Sequence, residues 1–186
     1  MVVWPPPGAA PRAGRRGDEG SPRSGRGRTL GGVPGRVYRK QHVVPSVVAV
    51  IVDEAERVVL TRRAIPPFRG LWVMPGGKID LGEPIVRAVH REVREEIGID
   101  VAVGGLVDVF EHLTPGPDND HFVILYYRCR PATHELVPNP AEVAEARWVP
   151  RADLPAYPVA DGTRHVLGIL FPELRSPDAW RRERPS

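Results

Sequence analysis

The sequence contains a single cysteine, Cys129, which excludes an intramolecular disulfide and any zinc site built from several cysteines. It also lacks long apolar runs. The N-terminal letters VVW are followed at once by PPP, so neither a secretory signal peptide nor a transmembrane segment is expected. A cytoplasmic location and the absence of a membrane partner follow as predictions.

Residues 1–36 lack any apolar run that would offset the entropy cost of ordering a backbone. They consist mostly of Gly, Pro, Ser and Arg, and we predict that they form a disordered tail. A second, shorter disordered tail is predicted over residues 176–186. The 150 residues between Val37 and Ser186 are enough for one well-buried core, which we predict over residues 37–175.

The basic pI of about 9.4 arises from the N-terminal tail. Seven arginines there face two acidic residues, Asp18 and Glu19, whereas the whole chain has a net charge of only +3, so the remainder is slightly acidic. An Arg-Gly segment can bind RNA or anionic lipid weakly, but a solvated extension is the simpler interpretation. Nucleic acid is therefore not the expected partner.

Strand patterns begin at Val43. The segments VVPSVVAVIV and RVVLTRR flank the turn DEAE and predict a hairpin of two buried strands. Further along, VAVGGLVDVFEHL and HFVILYYRCR are two long strand candidates joined by the loop TPGPDND, and ARWVP is a shorter one.

Two segments have helical periodicity. In the first, Pro84 suits the first turn and Gly98 the C-terminal end, and the inward face is formed by Val86, Val89, Val93 and Ile97. In the second, Asp161 is predicted to cap a helix that ends at Pro172, with an inward face formed by Val166, Ile169 and Leu170. Strands on both sides of a central helix, followed by a terminal helix, favour an α/β fold with a mixed sheet between helices.

The segment GGKIDLGEPIVRAVHREVREEIGI places Glu92, Glu95 and Glu96 within five residues of the first helix. Like charges one turn apart repel each other. One interpretation is a solvated face whose charge is balanced by Arg87 and its neighbouring arginines. The other is a divalent cation, since clustered carboxylate oxygens suit Mg²⁺ or Mn²⁺.

The spacing from Gly77 to Ile99 resembles the signature of the Nudix hydrolases, G-x5-E-x7-R-E-U-x-E-E-x-G-U with U aliphatic, at every specified position. The resemblance extends over about residues 43–174. It implies an α/β/α sandwich with a mixed central sheet, and the cleavage of a nucleoside diphosphate linked to another moiety. It also implies Mg²⁺ or Mn²⁺ as the cofactor.

The resemblance assigns three sets of residues to the site. The expected metal ligands are three carboxylates and one carbonyl: Glu92, Glu95, Glu96 and Gly77. The expected phosphate-contacting residues are Arg62, Arg63 and Lys78, with exposed basic residues on a turn or loop as the alternative. Glu83 and Arg91 are expected to hold the loop against the helix and to orient the ligands.

The general base is left open among four glutamates. Glu92 and Glu95 belong to the signature itself, and Glu142 and Glu145 lie on the later loop PNPAEVAEARW, where each is alternatively an ordinary solvated residue. His112 and His121 flank the loop TPGPDND and are either structural or in contact with substrate.

The substrate is not identified by the sequence. Aromatic side chains that would form a nucleobase pocket, or else the core, are Phe68, Trp72, Phe122, Tyr126 and Trp148. Pro115 lies near, but not at, the offset at which ADP-ribose hydrolases of the family carry a proline. An oxidised dNTP or ADP-ribose is favoured as the substrate.

Three functions are consistent with these patterns. An active hydrolase is favoured because the whole carboxylate set is present. A non-catalytic nucleotide-sensing module is the main alternative, although it would be expected to have lost one of the three glutamates. An RNA-binding protein directed by its tail is the third. Homodimerisation is left open.

Overall fold

A computed structural model of the chain describes residues 43–113 and 121–180, so the tail predicted over residues 1–36 and the last six residues of the tail predicted over 176–186 lie outside these ranges. There are two helices, α1 (Ile85–Ile97) and α2 (Asp161–Leu170). The strands are β1 (Val43–Ile51), β2 (Arg57–Arg63), β3 (Trp72–Val73), β4 (Gly76–Lys78), β5 (Val101–Leu113), β6 (His121–Pro131) and β7 (Val143–Pro150). Short 3₁₀ helices span Arg151–Ala156, Pro172–Arg175 and Pro177–Trp180.

The strands form two sheets. The larger sheet has the order β4-β1-β6-β5 and is mixed, because β1 runs parallel to β6 while β4 and β5 run antiparallel to their neighbours. The smaller sheet has the order β3-β2-β7 and is antiparallel. The prediction of a mixed sheet in an α/β fold is confirmed.

The predicted hairpin of β1 and β2 is wrong, because the two strands belong to different sheets. The turn between them does form, since the Asp53 carboxylate accepts hydrogen bonds from the amides of Ala55 and Arg57 at 3.0 and 2.8 Å. Pairing then stops after a single bridge between Val52 and Val58. Both strands are apolar on both faces, so alternation alone did not decide their partners.

Alternate residues of β1 pack into two separate cores. Val50 lies in the cluster with Val166 and Leu167 of α2. Ala49 and Ile51 lie in the cluster built around α1. The sheets therefore separate two helical layers, which is the arrangement of an α/β/α sandwich.

Helix α1 ends at Gly98, as predicted. Gly98 has a φ of 71°, and its amide donates a hydrogen bond to the carbonyl of Arg94 at 3.0 Å. A left-handed C-cap of this kind favours glycine. The inward face differs from the prediction at one position, because Val86 lies in the first turn and remains 48% exposed.

Helix α2 corrects two details. Its N-cap is Ala160, and no side chain caps it, so Asp161 is the first helical residue instead of the predicted cap. Val166 and Leu167 are fully buried, whereas Ile169 is only half-buried. The buried face of α2 therefore lies closer to Leu167 than the sequence predicted.

The C-terminal segment is ordered further than predicted. Residues Pro177–Trp180 form a 3₁₀ helix, and the Trp180 indole donates a hydrogen bond to the carbonyl of Leu174 at 2.8 Å. The guanidinium of Arg164 lies 5.1 Å from the same ring. Burial of the indole against the domain explains why order persists beyond residue 175. Neither α1 nor α2, nor any other helix in residues 43–113 and 121–180, has the length and apolar character required to cross a membrane.

Candidate active site

Helix α1 places its three clustered glutamates in different surroundings. Glu92 and Glu96, one turn apart, are only 8% and 3% exposed. The Glu95 side chain is 56% exposed. The solvated-face interpretation therefore fails for two of the three carboxylates, and the burial of two negative charges requires a compensating interaction.

Arg91 supplies much of that compensation. Its Nε and Nη2 atoms donate hydrogen bonds to the two carboxylate oxygens of Glu83 at 2.9 and 2.8 Å. Its Nη1 atom donates to Glu92 at 2.7 Å and to Glu95 at 3.2 Å. Nη2 also donates to the carbonyl of Lys78 at 3.0 Å. One guanidinium thus joins the loop that precedes α1 to two of the clustered glutamates.

Glu83 is held in its ionised form by this contact. The bidentate hydrogen bond from Arg91 lowers the pKa of Glu83 to about 2, and the amide of Asp80 adds a hydrogen bond at 3.2 Å. The same pair raises the pKa of Arg91. The structure therefore brings Glu83 and Arg91 together at the junction of loop and helix.

Glu96 also contacts the glycine-rich strand β4 (Gly76–Lys78), which we call the glycine loop. The amide of Gly76 donates to one oxygen of Glu96 at 3.2 Å, and Nη1 of Arg63 lies 3.9 Å from the other oxygen. Burial nevertheless raises the pKa of Glu96 to about 8. Burial also raises the pKa of Glu92, and the nearby charge of Glu142 adds to both shifts. In the absence of a cation, burial therefore disfavours the ionised form of both glutamates.

Two glycines of the loop lie very close to neighbouring groups. A Cβ atom on Gly76 would lie 2.2 Å from the carbonyl oxygen of Val47, in the adjacent strand β1. A Cβ atom on Gly77 would lie 2.5 Å from a carboxylate oxygen of Glu92. The backbone of β4 therefore approaches both β1 and the glutamate cluster more closely than a side chain would allow.

Glu142 and Glu145, which the sequence offered as general bases, occupy different environments. Glu145 forms ion pairs with Arg62, at 3.6 Å, and with Arg147. Glu142 lies close enough to the two buried glutamates of α1 to raise their pKa values. Consecutive residues of a strand point to opposite faces, so Arg63 lies beside Glu96, at 3.9 Å, and Arg62 lies beside Glu145.

A cavity lies beside the glycine loop. The residues that line it include Gly76, Gly77 and both Arg63 and Lys78, but among the described residues they do not include Arg62. Its apolar lining includes Val48, Phe68, Met74, Phe110 and Phe122. Two of the three predicted phosphate-contacting residues are therefore brought to one cavity.

The aromatic candidates divide between cavity and core. Phe68, Phe122 and Tyr126 line the cavity. Trp72 is buried and packs edge-on against Tyr157. Trp148 packs against the core on the α1 side and donates a hydrogen bond to the carbonyl of His134 at 2.9 Å.

The two histidine candidates also separate. His112 lines the cavity, and its ring centroid lies 4.9 Å from that of Phe68. His121 is instead paired with Glu111 at 3.1 Å. Pro115 lies outside the described residues.

Comparison with known proteins identifies the family. A model of the NUDIX domain matches residues 42–167, which is more than half of the chain. The chain belongs to the Nudix family. The loop and helix from Gly77 to Ile99 are its Nudix box.

Curated relatives of this Nudix domain include enzymes named for different activities. The human 8-oxo-dGDP phosphatase NUDT18 is 34% identical over 139 residues, which cover 73% of this chain and 41% of the relative. The NAD-capped RNA hydrolase NudC of Stutzerimonas stutzeri is 30% identical over 128 residues, covering 68% of this chain and 44% of the relative. The chain thus spans less than half the length of these two proteins.

Solved structures of the family match the same part of the chain. A MutT NUDIX hydrolase from Burkholderia pseudomallei is 32% identical, with a TM-score of 0.63, and the match covers 69% of this chain and 98% of that one. The Nudix domain of Shewanella oneidensis NrtR, solved with ADP ribose, is 23% identical, with a TM-score of 0.59, over 72% of this chain and 89% of that one. The latter supports the fold alone.

Nudix proteins generally use divalent cations such as Mg²⁺. The residues of the box fit such an ion in chemistry, because they are carboxylates and burial disfavours the ionised form of Glu92 and Glu96 in the absence of a cation. They are not preassembled around one point, since no group of three acidic, histidine or cysteine side chains within the described ranges is arranged to hold a metal. Arg91 draws Glu92 and Glu95 to itself, so a shared ligand set requires these two side chains to rotate.

Sequence reasoning missed three residues that line the cavity of this Nudix domain: Ser46, Gly162 and Thr163. One signal was available. Glycine is unfavourable inside a helix, so Gly162 in the first turn of α2 indicated a close approach of another group. Ser46 and Thr163 gave no comparable signal, because only the tertiary fold brings them together.

Proposed function

We propose that this Nudix domain hydrolyses the pyrophosphate bond of a nucleoside diphosphate derivative, with Mg²⁺ or Mn²⁺ as cofactor. The observation that carries the proposal is the burial of two carboxyl groups, Glu92 and Glu96, directly beside a glycine loop and a cavity. Burial of ionised carboxylates is costly unless a cation completes the site.

The proposed ligands of the cation are the carboxylates of Glu92, Glu95 and Glu96 with the carbonyl of Gly77. Bound there, Mg²⁺ supplies charge neutralisation at the phosphoryl oxygens and lowers the pKa of a water molecule. Arg91 donates hydrogen bonds to Glu92 and Glu95 and so holds both carboxylates near the proposed site. Glu83 in turn fixes the guanidinium of Arg91.

The cavity is the proposed site of the nucleoside. Arg63 and Lys78 line it and provide positive charge for the phosphates, and Phe68 and Phe122 provide apolar ring faces for a base. Similarity to an 8-oxo-dGDP phosphatase supports an oxidised purine nucleotide as substrate. ADP-ribose belongs to the same chemical class of nucleoside diphosphate derivatives.

A substrate panel tests this proposal. It contains 8-oxo-dGDP, 8-oxo-dGTP, unmodified nucleoside triphosphates, ADP-ribose, nucleotide sugars and dinucleoside polyphosphates, assayed with Mg²⁺. We expect an oxidised purine nucleotide or ADP-ribose to give the highest kcat/KM, with products resolved as phosphate, pyrophosphate or two monophosphates. The absence of turnover on every member would contradict a catalytic function.

Of Glu142 and Glu145, Glu142 has the surroundings that favour a general base. It lies near the buried carboxylates of α1, whereas Glu145 is engaged by Arg62 and Arg147. We expect Glu142→Gln to lower kcat by roughly 100-fold with little change in KM, since general base catalysis contributes on this scale. The matched variant Glu145→Gln should retain most of its turnover. Equal losses in the two variants would remove Glu142 from this role and leave Glu92 and Glu95 as candidates.

A nucleotide-sensing module without catalysis is the alternative. All three glutamates of the box are present, which favours catalysis. Tight binding of a panel member without any product formation would favour the sensor. A cytoplasmic location and homodimerisation stay predictions from the sequence.

A further inference from the structure

Three hydroxyl-bearing side chains belong to the lining of this one cavity. Ser46 of β1, Tyr126 of β6 and Thr163 of α2 are 6%, 3% and 3% exposed, and all three line the cavity beside the glycine loop. Ser46 and Tyr126 project from the same face of the four-stranded sheet, because Tyr126 pairs with Val48, two residues after Ser46. We refer to Ser46, Tyr126 and Thr163 as the hydroxyl floor.

Among the described residues, the hydroxyls of this floor take part in no intramolecular hydrogen bond of a side chain. In the part of the chain that the structure describes, no side-chain hydrogen bond involves the hydroxyl of Ser46, Tyr126 or Thr163, and no buried side-chain oxygen is sealed away without a partner. These hydroxyls therefore open onto the cavity. Thr61 shows the contrast, because its buried hydroxyl donates to the carbonyl of Val73 at 3.3 Å.

Gly162 keeps this floor accessible. A Cβ atom at this position would lie 2.5 Å from the hydroxyl oxygen of Tyr126 and 3.1 Å from the ring of Phe110. Glycine is less favourable than alanine in a helix. Its presence in the first turn of α2 lets the helix lie close to the sheet without covering the Tyr126 hydroxyl.

The cavity is polar at its floor and aromatic along its walls. Phe68, Phe110 and Phe122 present ring surface, which suits a flat heterocycle. The charged side chains in its lining include Arg63, which contacts Glu96 of the Nudix box, and Lys78, which belongs to the glycine strand β4. Two other polar groups, His112 and Asp161, also line it. When the phosphates are bound at the Nudix box, the attached base therefore lies in the remainder of the cavity.

We infer that the hydroxyl floor binds the N7–C8 edge of an 8-oxopurine base, which presents a carbonyl next to an N–H group, and that it sets which base is accepted. This inference rests on the proposed function, because it assumes that the phosphates bind at the Nudix box. A hydroxyl both donates and accepts, so a cavity lined by several hydroxyls suits an edge on which an acceptor and a donor are adjacent. The 8-oxo edge of an oxidised guanine has this pattern, whereas the same edge of guanine offers only the N7 acceptor. Burial raises the pKa of Tyr126, so its hydroxyl keeps the proton that it donates.

Removing a hydroxyl tests the inference without changing the shape of the cavity. For Tyr126→Phe and for Thr163→Val, we expect kcat/KM for 8-oxo-dGDP to fall roughly tenfold relative to kcat/KM for 2-deoxyribose 5-diphosphate, which has the same phosphates and sugar but no base. The loss should be mainly in KM, because contact with the base is made equally in the ground state and the transition state. Tyr127→Phe is the matched control, since Tyr127 packs on the α1 side and does not line the cavity. An unchanged ratio in both floor variants would overturn the inference.

Binding of 8-oxo-dGMP in EDTA separates this inference from the proposed function. We expect Kd for 8-oxo-dGMP to rise roughly tenfold in Tyr126→Phe and to stay unchanged in Tyr127→Phe. A protein that hydrolyses nothing but shows this dependence would lose its proposed function and keep its hydroxyl floor. A Kd that does not change in Tyr126→Phe or Thr163→Val, or a lack of binding, would overturn the floor whatever the turnover. Melting curves should match the wild type, since the hydroxyls bond to no described side chain.

Discussion

Replacing Glu96 or Glu95 with glutamine is expected to lower kcat on the best substrate by two or more orders of magnitude. Each change keeps the shape of the side chain but removes a proposed charged ligand of the cation, a loss of roughly 3 kcal/mol of transition-state stabilisation. Glu54→Gln, on the exposed turn between β1 and β2, is the control and should leave turnover unchanged. Wild-type rates in both box variants would show that the metal-site assignment is wrong.

The Glu96→Gln variant should also keep its stability in the absence of metal. Burial raises the pKa of Glu96 from its ordinary value of 4.5 to about 8, so the folded state binds a proton in this range that the unfolded state releases. The contribution of Glu96 to stability therefore falls as the pH rises from 4.5 to 8. A glutamine side chain does not titrate, so we expect the variant to gain stability relative to wild type at about pH 8 compared with about pH 5. Urea unfolding in EDTA at the two pH values measures this difference.

Replacing Arg91 with lysine is expected to reduce both activity and stability. The arginine donates to Glu83, Glu92, Glu95 and the carbonyl of Lys78 from one planar group, and an ammonium ion cannot reproduce that geometry. We expect turnover to fall by more than roughly tenfold, because the proposed ligands lose their orientation.

The loss of stability in Arg91→Lys should be about 2 kcal/mol, since hydrogen bonds to charged groups contribute on that scale. For a domain of this size the melting temperature would fall by roughly 6 °C. Arg94→Lys is the matched control on the same helix, because Arg94 pairs with Asp100 and both side chains are exposed. Thermal unfolding and turnover of the two variants give the comparison, and similar values for both would contradict the role of Arg91 as the link between loop and helix.

Sequence patterns within a single segment correctly predicted the features that depend on residues close together in the chain. The end of α1 at Gly98 and its buried positions Val89 and Val93 follow from spacing and from the left-handed conformation that glycine adopts. The partner of β2 did not follow, because strand pairing depends on contacts distant in sequence. Only the folded chain shows that β2 joins β7, far along the sequence, instead of β1.

The candidate site divides in the same way. The box from Gly77 to Ile99 is contiguous, so its spacing identified the glutamates and their arginine. Arg62 and Arg63 were equivalent in the sequence, and in the structure they point to opposite faces of β2 and have different partners. The hydroxyl floor joins β1, β6 and α2, and no spacing within one segment could have indicated it.

The dependence of turnover on a divalent cation tests the central claim most directly. The protein should hydrolyse its best substrate with Mg²⁺ or Mn²⁺, lose that turnover when EDTA is added in excess, and regain it when Mg²⁺ is restored. The account predicts this loss because every catalytic role assigned to Glu92, Glu95 and Glu96 operates through the cation. Undiminished hydrolysis in EDTA would contradict it.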